Sequence, residues 1–179
     1  SARRAVVHPR GQRVVSSALG TGASLMTIQR LSHIGLCVSD LERSARFYTQ
    51  GLGFSPAGSL EVEGEATDTL LGLSGTQLSA LYLERDGTRI ELLHYRQPGS
   101  VEQDAPRPMN WVGLTHLSFR VADLEATLNN LTAVGGVILR ETRTENRHFG
   151  AAAIFVTDPD GTRIELIEQP GDPNVLPGQ

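Results

Sequence analysis

Gly87-Thr88-Arg89-Ile90-Glu91-Leu92 recurs letter for letter as Gly161-Thr162-Arg163-Ile164-Glu165-Leu166. A second likeness opens the same two stretches: His33 to Glu42 and His116 to Glu125 share His, Val, Asp, Leu and Glu at matching places. A chain that begins and ends two segments alike must build one supersecondary unit twice, and that limits the fold more than any local propensity does. Module one spans residues 28–96 and module two residues 111–169, between an extension of residues 1–27 and a tail of residues 170–179. The connector, residues 97–110, carries Pro98, Pro106 and Pro108, which suit an extended chain.

Each module opens on an alternating run. Ile34, Leu36 and Val38 share one strand face while His33, Gly35 and Cys37 share the other. Asp40 and Asp123 stand where a carboxylate can cap the free amides of a first helical turn. Helices are expected to follow, with Leu124, Leu128 and Leu131 as one apolar stripe and Gly51 and Gly135 supplying left-handed C-terminal residues. Short strand runs come next, clearest at residues 78–83 and 152–156. Turns at Arg85-Asp86-Gly87 and Asp158-Pro159-Asp160-Gly161 make each repeated hexapeptide the last strand of a hairpin. The expected order is β-α-β-β-β, twice, in an α+β fold.

Strand parity then turns into chemistry. His33 and Glu91, like His116 and Glu165, fall on the faces opposite their apolar neighbours. If each helix covers the apolar face of its sheet, the four polar side chains line the other face, and pairing two modules brings them together. Two imidazoles and two carboxylates in a partly dry cavity call for a counter-charge. A divalent ion supplies it, and the donor set suits Zn, Ni, Co, Mn or Fe(II).

Composition narrows the partners. A formal charge of −4 and a pI near 5.7 argue against a nucleic-acid surface, and no apolar run reaches the length of a membrane span. Cys37 is the single cysteine, so no internal disulfide can form, and the cytoplasm is the expected compartment. A small molecule is the expected ligand. Residues 1–25 carry four arginines and no acidic residue. Met26 is a candidate native start, and a hairpin around Pro9-Arg10-Gly11-Gln12 is a candidate structure in the extension.

The run from His33 to Tyr48, Gly51-Leu52-Gly53-Phe54 and the closing Asp158-Pro159-Asp160-Gly161 through Ile164-Glu165-Leu166 resemble the vicinal oxygen chelate superfamily, the glyoxalase, bleomycin-resistance and extradiol-dioxygenase group. The resemblance covers about residues 28–169. It implies two βαβββ modules forming curved mixed sheets around a metal-binding cavity, with His33, Glu91, His116 and Glu165 as ligands. It also implies a metal-dependent lyase or isomerase that chelates vicinal oxygens of a substrate and stabilises an enediolate during proton transfer. Glu165 is then both ligand and base, assisted by Glu91.

Glutathione-using relatives carry an arginine where Cys37 stands and often an asparagine where Tyr95 stands. Arg120 holds the place of that arginine in module two and is a candidate anchor for an anionic substrate group. Cys37, Leu93 and Tyr95 are candidate pocket lining, Cys37 more simply a small buried filler. The alternatives within the resemblance are a methylmalonyl-CoA epimerase-like enzyme, an extradiol-type dioxygenase and a metal-free drug or metabolite binder. Open sheet faces and edges suggest a homodimer. Trp111 is expected at the module junction, His94 as a packing or capping residue, and His148-Phe149 in a surface loop or lid.

Overall fold

The hairpin turns and the Asp caps divide the chain where the sequence places them. The structure is a computed structural model that describes residues 27–101, 107–148 and 150–175. The expected hairpin in the extension, the candidate start at Met26 and Phe149 lie outside the described residues. Module one runs β1 (Ile34–Cys37), α1 (Leu41–Arg46), a π-helical turn (Phe47–Gly51), β2 (Ser55–Glu63), α2 (Glu65–Leu71), β3 (Gln77–Arg85) and β4 (Thr88–Gln97). Module two runs β5 (Leu117–Val121), α3 (Leu124–Ala133), β6 (Val137–Asn146), β7 (Ala151–Thr157) and β8 (Arg163–Glu168). The two four-stranded sheets have matching orders, β1-β4-β3-β2 and β5-β8-β7-β6. In each, the first strand lies parallel to the last and the remaining pairs are antiparallel.

Helices α1 and α3 start as their caps dictate. The Asp40 carboxylate accepts from the Arg43 amide at 2.9 Å, and Asp123 accepts from the Ala126 amide at 2.9 Å. Gly135 takes the expected positive φ, 97°. Gly51 does not, and Gly53 (φ 70°) is the left-handed residue after the first helix. What position 51 requires is room. A Cβ there would meet Leu131 Cδ2 at 2.8 Å and Val134 Cγ2 at 2.9 Å, both from module two.

That close approach belongs to a core shared by the two halves. Val38, Phe47, Tyr48, Leu52, Ile90 and Leu92 of module one pack in one cluster with Leu124, Leu128, Leu131, Ile154, Ile164 and Leu166 of module two. Phe54 meets Phe119 edge to face, ring centres 6.1 Å apart. Polar contacts cross the same junction. Asp160 accepts from Ser39 Oγ (2.5 Å), Arg43 Nη2 (2.6 Å) and Ser44 Oγ (3.0 Å). The helix-bearing faces of both sheets therefore look toward each other. Trp111, expected at this junction, is instead 60% exposed beneath the Arg107 guanidinium.

Asp158 is the most deeply buried charged side chain among the described residues, at 1% exposure. Its Oδ1 accepts from the amides of Asp160 (2.9 Å) and Thr162 (2.7 Å), and its Oδ2 accepts from the Tyr48 hydroxyl at 2.9 Å. Burial pushes the Asp158 carboxyl above its ordinary value, and these donors pull it part of the way back. No helix among the described residues is long and apolar enough to cross a membrane.

Tyr48→Phe removes the side-chain donor that module one supplies and leaves the carboxylate less satisfied, a loss of about 1–3 kcal/mol of unfolding free energy at neutral pH. A carboxyl raised in the folded state costs stability once ionised. The cost is full above the folded pKa and vanishes as pH falls toward the ordinary value. The variant raises that pKa further, so its deficit in urea denaturation should be larger at pH 7 than near pH 4.

Candidate metal centre

Because Ile34, Leu36, Ile90 and Leu92 point into the shared core, their strand neighbours Gly35, Cys37, Glu91 and Leu93 point the other way. His33, just before β1, faces Glu91: its Nε2 lies 3.1 Å from Glu91 Oε2. Module two repeats the pair, with His116 Nε2 3.5 Å from Glu165 Oε2. The repetition extends to the far side of each ring. Ser32 Oγ lies 3.0 Å from His33 Nδ1, and Thr115 Oγ1 lies 2.9 Å from His116 Nδ1. Where the hydroxyl donates to Nδ1, Nε2–H donates to the carboxylate; where the hydroxyl accepts from Nδ1–H, the Nε2 lone pair is freed for a cation held between ring and carboxylate, the orientation a metal-ligating imidazole needs.

An aromatic ring from the adjacent strand closes each pair. Tyr82 is in direct register with Glu91 and meets the His33 ring edge-on at 5.6 Å; Phe155 is in register with Glu165 and meets the His116 ring at 5.3 Å. Neither residue is marked by the repeat or by strand parity. Tyr82 also hydrogen-bonds Glu91, and that bond is the main reason its phenol titrates above the ordinary value. Phe155 has no hydroxyl, and Glu165 accepts instead from Ser118 Oγ at 2.7 Å. The carboxylates differ accordingly: the Glu91 side chain is 12% exposed and that of Glu165 26%.

The four candidate ligands thus come as two pairs within one chain. No group of three His, Cys, Asp or Glu side chains converges among the described residues. The physical reason is the shared core, which turns the two pair-bearing faces away from it. Each pair still fits half of a coordination shell. Two donors about 2.1 Å from one ion stand about 3.0 Å apart at a right angle and about 3.4 Å apart at the tetrahedral angle. The observed separations match these edges, and the shorter one also suits a direct imidazole–carboxylate hydrogen bond.

Leu93 and Tyr95 lie half-buried beside Glu91, Leu93 in register with Cys37. Cys37 is exposed rather than a buried filler. Its thiol is nonetheless pushed up, by partial desolvation and then by the charge of Asp160. Arg120 gives its guanidinium to backbone carbonyls, those of Gln169 at 2.9 Å, Pro170 at 3.2 Å and Val175 at 3.5 Å. It is thereby engaged in holding the C-terminal segment. His94 contacts the Val38 carbonyl through Nδ1 at 3.3 Å, the packing role its parity indicates. His148 lies in a turn where its amide donates to Asn146 Oδ1.

In metal-free protein, Glu91→Gln should bring Tyr82 ionisation down toward the ordinary phenol value while Tyr48, raised by burial, keeps its high one. Ring-carbon NMR titration of the three tyrosines reads this directly. A Tyr82 that does not move would remove the phenol–carboxylate bond from the description.

Comparison with known proteins agrees with this architecture. The profile of the Glyoxalase/Bleomycin resistance protein/Dioxygenase superfamily matches residues 30–166. The chain is 33% identical over 147 residues to a probable lactoylglutathione lyase of Vibrio cholerae, covering 80% of this chain and 93% of that protein. It is 29% identical over 157 residues to the 2-epi-5-epi-valiolone epimerase of an Actinomyces species, covering 84% and 85%. Among solved structures, a glyoxalase family protein from Bacillus cereus superimposes with a TM-score of 0.71 at 21% identity, over 84% of this chain and all of that one. The chain belongs to the glyoxalase/bleomycin resistance protein/dioxygenase superfamily.

Proposed function

We propose that this chain is a divalent-metal lyase or isomerase of the glyoxalase I type that works as a homodimer. His33 and Glu91 of one chain, with His116 and Glu165 of a second copy, would hold one ion, and a small substrate would present two neighbouring oxygens to it. The observation that carries the reading is the duplicated pair: an imidazole and a carboxylate at ligand-edge spacing, each ring clamped by a hydroxyl on Nδ1. The names of the relatives, a lyase and an epimerase, support the same class of chemistry. A bound ion would supply Lewis acidity, making a C–H next to a chelated oxygen more acidic.

The residues then divide the work. Glu91 is tethered by the Tyr82 hydroxyl and sits deeper, which suits a fixed ligand. Glu165 is more open, and its hydroxyl partner Ser118 is itself exposed. That suits the carboxylate that takes a proton and returns it to the neighbouring carbon, with Glu91 assisting. The second copy is favoured by what one chain leaves uncovered. Met109, Trp111, Val112 and Leu114, the approach to His116, are 41%, 60%, 94% and 79% exposed, and Leu60 on the Glu91 face is 47% exposed. Each pair offers two donors, and an ion with an open position for substrate needs more protein ligands than that.

Mixing two inactive variants tests both parts. Wild-type protein is expected to sediment as a dimer with one bound ion for each chain. His33→Ala/Glu91→Ala and His116→Ala/Glu165→Ala homodimers should each lose bound metal. Heterodimers of the two should regain one ion and, with 2-hydroxycarbonyl or acyl-thioester substrates, exchange of solvent deuterium into the carbon beside the chelated oxygen. Heterodimers as metal-free as their parents would refute the shared centre.

A further inference from the structure

The repeated hexapeptide carries one more feature than the proposed ligands use. Arg89 and Arg163 stand two residues before Glu91 and Glu165 on the same strands, and therefore on the same faces, about 7 Å along the chain from each glutamate. In module one this position borders a candidate ligand, His33. Arg89 lines a cavity of about 240 Å³ together with Ser32, His33, Ala57 and Tyr82.

The two arginines are not equivalent, because their cross-strand neighbours differ. Glu84 lies opposite Arg89 and binds its guanidinium, Nε to Oε1 at 2.8 Å. Thr157 lies opposite Arg163. Among the described residues Arg163 has no side-chain hydrogen bond, ion pair or ring contact. It is half-buried, whereas the other arginines without such a partner, Arg46, Arg140 and Arg147, are exposed. Arg120, on the same face, is satisfied by carbonyls and stands near Asp172.

We propose that Arg163 is the anchor for an anionic group of the substrate, and that the substrate is a vicinal-oxygen compound carrying a carboxylate or phosphate a few bonds from its chelating oxygens. This rests on the metal-centre reading above. The charge count leads there. Two glutamates offset a divalent ion, Glu84 offsets Arg89, and one positive charge remains beside Glu165 with donors unspent. A guanidinium in that state presents a two-pronged donor matched to carboxylate or phosphate oxygens.

The test uses two hydroxamates, which chelate through adjacent oxygens and differ in charge. Phosphonoacetohydroxamate should bind manganese-loaded protein more tightly than acetohydroxamate. Arg163→Gln should weaken only the former, by about ten- to a hundredfold in calorimetry, with Arg163→Lys between and with metal content and dimer mass unchanged. Equal weakening of both ligands, no weakening, or dissociation of the Arg163→Gln dimer would overturn the proposal. If wild-type protein binds neither manganese nor acetohydroxamate, the metal-centre reading fails by itself. The anchor is then judged on metal-free protein, where phosphonoacetate should shift the Arg163 side-chain Nε–H resonance and leave that of Arg89 in place; an unmoved Arg163 signal rejects it.

Discussion

Everything in this chain follows from where the two modules bury their helices. A βαβββ unit has one apolar sheet face and one short amphipathic helix, too little to fold alone, and here each unit completes the core of the other. The contact is intimate enough that Gly51 leaves space for Leu131 and Val134. It is also polar enough to need a fully hydrogen-bonded Asp158 at its centre. Such a carboxylate stabilises the arrangement less than it specifies it. Shifting one half relative to the other would take the Tyr48 hydroxyl from its Oδ2 and leave that oxygen buried without its cross-module donor, a cost that is a large share of a small domain's stability.

The same burial decides what the other sheet faces can become. With the helix sides spent on each other, the faces bearing His33–Glu91 and His116–Glu165 stay outside the core. Each is polar near the imidazole and lined by partly apolar residues such as Leu93 and Tyr95 beside it. Two half-shells of opposite modules on one chain, and the same on a copy, are self-complementary under a two-fold axis. The stability of the fold and the assembly of the centre proposed above are therefore one question of which faces pair with which.

Most of this was legible from residue identities. The repeat located both modules, the Asp caps located α1 and α3, and strand parity assigned the pair-bearing faces, because period-two alternation survives wherever one face is buried. Gly51 was misread because a glycine after a helix signals a left-handed turn by default, and close packing by a distant helix leaves no local mark. The exposed helix α2 lacks a side-chain cap hydrogen bond at its start and buries none of its residues, so only the left-handed Gly72 at its end marks it in the sequence. Tyr82 could have been found. Once the turn at Asp86-Gly87 is fixed, counting back along the hairpin sets Tyr82 opposite Glu91. Which modules meet is a matter of tertiary packing, and no strand pattern encodes it.

The departures from the repeat are as informative as the repeat. His, Glu, the hydroxyl before each His and the aromatic ring beside it are common to both halves, whereas the groups that tune them differ. Tyr82 becomes Phe155, Gly35 becomes Ser118, Glu84 becomes Thr157 and Cys37 becomes Arg120. A symmetric pair of carboxylates would hold an ion equally well. A proton transfer needs one acid group held fast and another able to move, and a polar substrate needs a side of the site with charge to spare. The shared groups are those the proposed cation would require of any two halves, and the divergent ones are those that would give the halves different tasks.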